Sequence, residues 1–425
     1  MAEYLYIHIP YCVSKCAYCD FYSVPCKEKF AGVPDSYVAA LCNEIKFRLS
    51  EGPDFNEKSQ FCSPVLKSVY VGGGTPSILK FQQIQTLFNV IKPFLKNDAE
   101  VTFEVTPEDV TKELLFCLDS AGVNRISCGI QSMNQKVLDF AGRRGSSEKN
   151  KEVLSLFKEY WHKKLSLDFI SGLPFETEES LLNGLELAVK IKPSHISLYS
   201  LVVEEETPLG KKIDSGEIPF DFDFSDKLWL CGKEFLESKG YSQYEISNFC
   251  LPGKESIHNM AYWTRKSYYG CGSGATGTLY NNDGTAFRFT NSRNLQEYID
   301  FWQKENFYAG IETGGVDGVV DSGMTSSFFD SVPGEKEIVN IEDSKFEFFM
   351  MGLRKLSGIT KNEYESYFFE EFPQKVENLF KEWQQKGLAT IELCSCASES
   401  CVKNDTRYSL NSKGILFLNK FLELL

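Results

Sequence analysis

The feature that most constrains what this chain can fold into is a unit that recurs six times before residue 206. Each copy is a short run rich in apolar and β-branched residues, then a turn, then a segment of helical period. The runs are 4–9, 68–71, 101–105, 125–130, 166–170 and 195–202, and the amphipathic stretches between them are 36–49, 82–94, 112–120, 147–160 and 178–190. Several of these stretches open with acidic or hydroxyl residues, the side chains that cap helix amino termini. The runs read as apolar at nearly every position, the pattern of parallel strands buried on both faces. Right-handed crossovers then wind six such strands into an open (βα)6 barrel, an α/β fold whose chemistry gathers at the carboxyl ends of the strands.

Directly after the first run comes Cys12-Val13-Ser14-Lys15-Cys16-Ala17-Tyr18-Cys19. Three clustered thiols cannot all pair as disulfides, and C-x3-C-x2-C is not a usual zinc spacing, so an iron–sulfur cluster is the better reading. A cubane has four irons, and three cysteines leave one of them open to a small chelating molecule. The second run ends in Gly72-Gly73-Gly74-Thr75-Pro76-Ser77, where missing β-carbons let a ligand approach the backbone. A tight turn before a helix is the plainer alternative, and neither phosphate-cradling glycine spacing is present. Glu104 closes the third run and Asp168 lies in the fifth. A carboxylate in an apolar strand is costly unless a partner or a ligand ammonium meets it, and a structural ion pair would serve equally. Gln131 ends the fourth run, and Arg143 follows a short helix; an amide suits hydroxyls and a guanidinium suits a carboxylate.

The cysteine spacing, with an aromatic before the last thiol, resembles the signature of radical S-adenosylmethionine (SAM) proteins. The flanks Tyr6-Ile7-His8-Ile9-Pro10-Tyr11 and Tyr18-Cys19-Asp20-Phe21 look like the branch that contains anaerobic coproporphyrinogen III dehydrogenase and the heme chaperone HemW. The resemblance implies a partial radical SAM barrel, with Cys12, Cys16 and Cys19 holding a 4Fe-4S cluster. It also implies a cofactor site for SAM formed by Tyr6, Tyr18, Gly73, Gly74, Thr75, Glu104, Gln131, Arg143 and Asp168. Later, Ile257-His258-Asn259-Met260-Ala261-Tyr262-Trp263 precedes a glycine-rich run, 270–275. From the residues alone, His258 caps a loop beside core aromatics; the resemblance instead brings heme near His258. Within the branch, the dehydrogenase carries a fourth cysteine two residues after the third and a longer leading segment. Here Phe21 takes that position and eleven residues precede Cys12. Both departures imply the chaperone, which binds heme and passes it to apoproteins such as respiratory cytochromes, in peripheral contact with membrane proteins, without oxidising coproporphyrinogen. The enzymatic alternative is radical decarboxylation of propionate side chains, so the sequence leaves enzyme status open. A third reading makes the carboxyl-terminal module a protein-docking platform and the cluster merely structural.

The rest of the chain divides into an extension at 206–310, a glycine-, serine- and aspartate-rich linker or loop at 311–340, and a helical segment at 341–425. The last ends in two short strands and reads as a winged-helix-like α+β domain. An insertion with two prolines occupies 51–64. Such winged modules often bind DNA, but a net charge of −14 disfavours a phosphate-backbone partner, so no nucleic acid is expected. No apolar run of membrane-spanning length or signal peptide is evident, and the expected address is the cytoplasm. Of the 14 cysteines, Cys42, Cys117, Cys128 and Cys231 read as small buried hydrophobes. Cys394, Cys396 and Cys401 read as an exposed serine-rich loop in preference to a second metal site.

Overall fold

The computed structural model describes residues 2–26, 32–50, 65–304, 331–394 and 405–425. Six parallel strands lie side by side in chain order: β1 (Tyr4–Ile9), β2 (Leu66–Gly73), β3 (Leu95–Val105), β4 (Arg125–Gln131), β5 (Lys164–Ser171) and β6 (His195–Ser200). Helices Asp35–Ser50, Phe81–Ile91, Lys112–Ala121, Ser147–Tyr160 and Glu178–Val189 supply the crossovers. Their starts follow the expected chemistry: Thr111, Ser146 and Thr177 accept hydrogen bonds from backbone N–H groups of the helices they precede, satisfying donors the helix cannot pair internally.

One expectation needs correction. The barrel strands are not apolar on both faces; they alternate. Leu5, Ile7 and Ile9 of β1, Val69 and Val71 of β2, Phe103 and Val105 of β3 and Ile126, Cys128 and Ile130 of β4 join one large core with the crossover helices. The intervening positions form a polar inner face. His8, Ser68, Glu100, Thr102, Arg125, Ser127, Ser166, His195 and Ser197 are all buried there. Successive side chains of a strand point to opposite faces, so a period of two underlies what reads as a continuous apolar run. The cost of burying these polar groups is offset by mutual hydrogen bonds.

The sheet continues beyond the six strands. Tyr268–Cys271 adds parallel to β1, with Tyr6 opposite Gly270, and Thr276–Tyr280, Ala286–Asn291 and Gly334–Val339 follow antiparallel. Asn248–Cys250 lies antiparallel on β6. Residues 305–330, the end of the expected extension and most of the expected linker, lie outside the described residues, as does the insertion 51–64. The linker's described remainder includes a strand, Gly334–Val339, on the sheet edge. Gly334 to Ile338 are exposed and only Val339 is buried, which is why its pattern carries no strand signal; charged edges of this kind also block further pairing. Among the described residues no helix is long and apolar enough to cross a membrane.

The carboxyl-terminal segment has its own core, with Phe348, Phe349, Tyr364, Phe372, Phe380, Trp383, Tyr408 and Phe421 buried together. Three helices, Ile341–Gly352, Lys361–Phe368 and Gln374–Gln385, pack with a small sheet in which Asp405–Leu410 lies between Ile359–Thr360 and Ala389–Cys394. This is the winged-helix-like arrangement. It joins the extension through the Arg288–Glu347 ion pair at 2.6 Å and through Arg265, which donates to Ser344.

Candidate functional site

The chain leaves β1 at Pro10, and a two-residue ladder, Tyr11–Cys12 against Val24–Pro25, closes the loop that follows. Val24 N–H donates to the Pro10 carbonyl at 2.6 Å and Cys26 N–H to the Cys12 carbonyl at 2.7 Å. Cys12, Cys16 and Cys19 therefore stand on one closed loop at the carboxyl end of β1, all free thiols and partly exposed. The loop is tied to its surroundings at Ala17, whose N–H donates to the Ala141 carbonyl and whose carbonyl accepts from Leu209 N–H, both at 2.9 Å. Burial raises the Cys19 thiol above its ordinary value, and the neighbouring Cys16 and Cys12 raise it further. Among the described residues no three His, Cys, Asp or Glu side chains converge on a point where one metal ion would be held.

Around the loop, Thr75 Oγ1 lies 3.3 Å from Cys12 Sγ, and Arg143 Nη1 donates to Cys16 Sγ at 3.6 Å. The other Arg143 terminal nitrogen donates to the Gly129 carbonyl at 2.9 Å and stands 3.8 Å from Glu108. Tyr18 packs on Val137, Ile170 and Leu173. Gln131 sits at a bulge between β4 and β5 with φ +64°, a left-handed conformation that strains a residue with a β-carbon. That twist folds its amide back over Gly129.

The glycine run meets protein before it meets any ligand. Gly73 has φ +117°, and a β-carbon on it would lie 2.7 Å from His8 Nδ1; one on Gly74 would lie 2.7 Å from the Tyr11 carbonyl oxygen. Gly74 N–H donates to the Ile9 carbonyl at 2.8 Å. The run thus locks the ends of β1 and β2 together and fixes where the cysteine loop departs.

Below the mouth lie the two expected acids. Glu104 accepts from Tyr70 O–H at 2.7 Å and from Gly73 N–H at 3.3 Å; burial raises its carboxyl to about 7, with Asp168 adding to the rise. Asp168, on β5, accepts from three hydroxyls, Ser197 at 2.7 Å, Ser127 at 2.8 Å and Ser166 at 2.9 Å. Tyr6 projects into the same interior, its hydroxyl 2.9 Å from His8 Nδ1. Tyr70, Glu108 and the three serines escape a reading built on isolated motifs; the alternation of polar residues along β2, β4, β5 and β6 is the signal that finds the tyrosine and the serines, while Glu108, in the turn after β3, carries no such signal.

His258 is placed elsewhere. The short helix Ile257–Trp263 plugs the amino-terminal half of the barrel, with Ile257 N–H donating to Glu100 Oε1 at 2.8 Å. His258 is buried; Nδ1 pairs with Ser68 Oγ at 2.7 Å and Nε2 with Tyr262 O–H at 2.8 Å. Burial lowers its imidazole to about 3, so the ring is neutral and both nitrogens are occupied. The residue-level expectation holds for its aromatic surroundings, Tyr70 and Tyr262, but not for a loop cap, since His258 lies inside the helix. Cys394 is partly exposed, and Cys396 and Cys401 lie outside the described residues.

Comparison with known proteins agrees with this architecture. The profile described as the radical SAM superfamily matches residues 6–188. The heme chaperone HemW of Escherichia coli (strain K12) is 31% identical, aligned over 99% of this chain and 97% of the relative. HemW of Bacillus subtilis (strain 168) is 30% identical over 90% of this chain and 91% of its own length. Among solved structures, coproporphyrinogen III oxidase (HemN) from Escherichia coli superposes with a TM-score of 0.72 at 19% identity, covering 100% of this chain and 90% of that one.

Proposed function

Because the chain belongs to the HemW family of radical SAM proteins, we propose that it is a heme chaperone, binding heme and passing it to apoproteins such as respiratory cytochromes. In this reading Cys12, Cys16 and Cys19 hold a 4Fe-4S cluster with one iron open, and SAM lies beside it. When bound, that pair supplies a centre reducible by one electron next to a sulfonium. The residues of this chain prepare the place. Arg143 sets a guanidinium 3.6 Å from the Cys16 sulfur. Thr75 offers its hydroxyl to Cys12. Glu104 presents a carboxylate for the methionyl ammonium, while Gln131 and the edge of the glycine run face the same mouth. Asp168, with its serine partners, holds the interior beneath.

The observation that carries the chaperone reading over the dehydrogenase is the cysteine loop itself. Its C-x3-C-x2-C spacing ends at Cys19, and the position two residues beyond is Phe21, 74% exposed, in place of the fourth cysteine of the dehydrogenase pattern. The test is anaerobic reconstitution with iron and sulfide, followed by titration with hemin and with SAM, then incubation with reductant and coproporphyrinogen III. One bound heme and no protoporphyrinogen are expected. Formation of protoporphyrinogen, or failure to bind heme, overturns the reading.

A further inference from the structure

Large apolar side chains stand in solvent at the end of the barrel that carries the cysteine loop. Phe21 on that loop, Phe175 in the turn after β5, Val202 after β6, and Phe222 and Phe224 at the start of the helix Phe222–Ser238 are each 42–74% exposed. Contacts between their elements join them into one rim. Ala17 of the cysteine loop bonds Ala141, next to Phe140, whose ring meets Phe175 at 5.2 Å. Gly172, in the same turn as Phe175, lies so close to Ser225 that a β-carbon on it would stand 1.9 Å from Ser225 Oγ. Leu209 then ties the segment before that helix back to the cysteine loop at Ala17. Phe175 is held at φ +71°, a conformation that strains a residue with a β-carbon, and its ring still faces solvent. A contiguous exposed apolar set marks an interaction surface, where singly scattered side chains do not.

The charge on this rim narrows what can cover it. Residues 204–226 carry eight carboxylates and two lysines. Both lysines are committed, Lys211 to Glu206 at 3.1 Å and Lys212 to Glu217 at 2.9 Å. The other six carboxylates have no ion-pair partner among the described residues. Asp221, Phe222, Asp223 and Phe224 are consecutive and all exposed, so acids and rings share one surface. A second copy of this chain, with its own net charge of −14, would be repelled there, as would an anionic bilayer.

We propose, resting on the heme-chaperone reading, that this aromatic and acidic rim is where the recipient protein docks, and that the recipient presents basic side chains around an apolar patch. Opposite charges steer the encounter and set its orientation, and the buried rings hold it. The recipient then sits over the mouth of the barrel, beside the cysteine loop, and not on the winged-helix-like domain.

The test is fluorescence anisotropy of a labelled amphipathic peptide of leucine and lysine, and of its leucine and glutamate counterpart, titrated with the full-length protein. The lysine peptide should bind, less tightly as salt is raised, and the glutamate peptide should not. Phe222→Ser with Phe224→Ser, and separately Glu205→Lys with Asp223→Lys, should each weaken binding about tenfold or more. Phe369→Ser, at an exposed aromatic of the carboxyl-terminal domain, should leave it unchanged. Heme transfer to a cationic apocytochrome should slow in the same two rim variants while their hemin affinity stays that of the wild type. Equal binding of the two peptides, undiminished affinity in the rim variants, or an equal loss in Phe369→Ser overturns the assignment. Binding to phosphatidylglycerol vesicles that depends on Phe222 and Phe224 overturns it too, giving the rim to a lipid surface. Absence of hemin binding by the wild type removes the chaperone reading, on which the peptide titration does not depend.

Discussion

Replacing Glu44 by glutamine tests whether the cysteine loop is held in place from behind. Glu44, on the helix Asp35–Ser50, is fully buried. Its Oε1 accepts from Arg48 Nε at 2.8 Å and from Asn291 Nδ2 at 2.8 Å, and Arg48 Nη2 lies 2.7 Å away. Its Oε2 accepts from Gly272 N–H at 2.8 Å and Tyr298 O–H at 2.6 Å. A glutamine keeps one acceptor and puts an NH2 group where the other stood. With its oxygen toward Arg48, the amide orphans Gly272 N–H; turned round, it faces two guanidinium nitrogens. Either way the buried Arg48 charge loses its counter-ion. Breaking a buried pair on one side costs about 3–5 kcal/mol, and an orphaned buried N–H adds about 1–3 kcal/mol, so Glu44→Gln should destabilise by about 4 kcal/mol or more. The consequence should reach the site, because Gly272 and Ser273 sit against Tyr37, whose hydroxyl donates to the His8 carbonyl at 2.8 Å. Urea unfolding of the metal-free protein measures the loss, and Glu44→Leu with Arg48→Met should recover much of it. A loss below about 1 kcal/mol for Glu44→Gln, or a double mutant equal to the sum of the singles, would refute the argument.

Two smaller perturbations follow. Gly73→Ala places a methyl 2.7 Å from His8 Nδ1 at φ +117°; it should cost about 2–3 kcal/mol in thermal or urea unfolding and lower cluster content after reconstitution. His258→Gln should lower stability by about 1–2 kcal/mol through the lost Ser68 and Tyr262 partners and leave the Soret band of bound heme unchanged. A changed Soret band would return His258 to the heme site.

Much of this was legible because two signals were strong. The strand and helix repeat specifies a parallel barrel through residue 200, and helix limits such as Ser147–Tyr160 and Lys112–Ala121 fall within a residue of the pattern, since capping hydroxyls mark their starts. The inner face was less legible. In Lys164–Ser171 the sequence KLSLDFIS looks apolar because leucine and phenylalanine dominate by size, yet Ser166 and Asp168 turn inward. The edge strand Gly334–Val339 escaped because an exposed strand buries almost nothing and so has no apolar face to show. His258 was ambiguous for a different reason: an imidazole between aromatic residues looks alike whether it binds metal or fills a polar core, and only its two hydrogen-bond partners separate the cases. Those partners are Ser68, 190 positions away, and Tyr262, four away, and neither is marked by spacing.

The same accounting separates the two interior carboxylates. Asp168 receives three hydroxyl donors, close to saturating it, and although burial raises its carboxyl, the serines oppose the rise. Glu104 receives one phenol and one long backbone contact, and its carboxyl stands at about 7 against an ordinary 4.5. A folded-state value above the unfolded one means the favourable contribution is complete below pH 4.5 and lost as pH rises through 7. Charging Glu104 therefore costs the unliganded fold about 3 kcal/mol above neutrality, a cost that a bound ammonium would relieve. Glu104→Gln should make the unliganded protein more stable at pH 8 but not at pH 4.5, and should weaken SAM binding tenfold or more, the scale of a lost charge-assisted hydrogen bond. SAM affinity of the wild type should rise with pH up to about 7. Asp168→Asn should instead lower stability at neutral pH, with SAM affinity changing less. Calorimetric titration of the reconstituted protein and urea unfolding at the two pH values decide it. Normal SAM affinity in Glu104→Gln, with binding lost in a stable Asp168→Asn, would reverse the assignment.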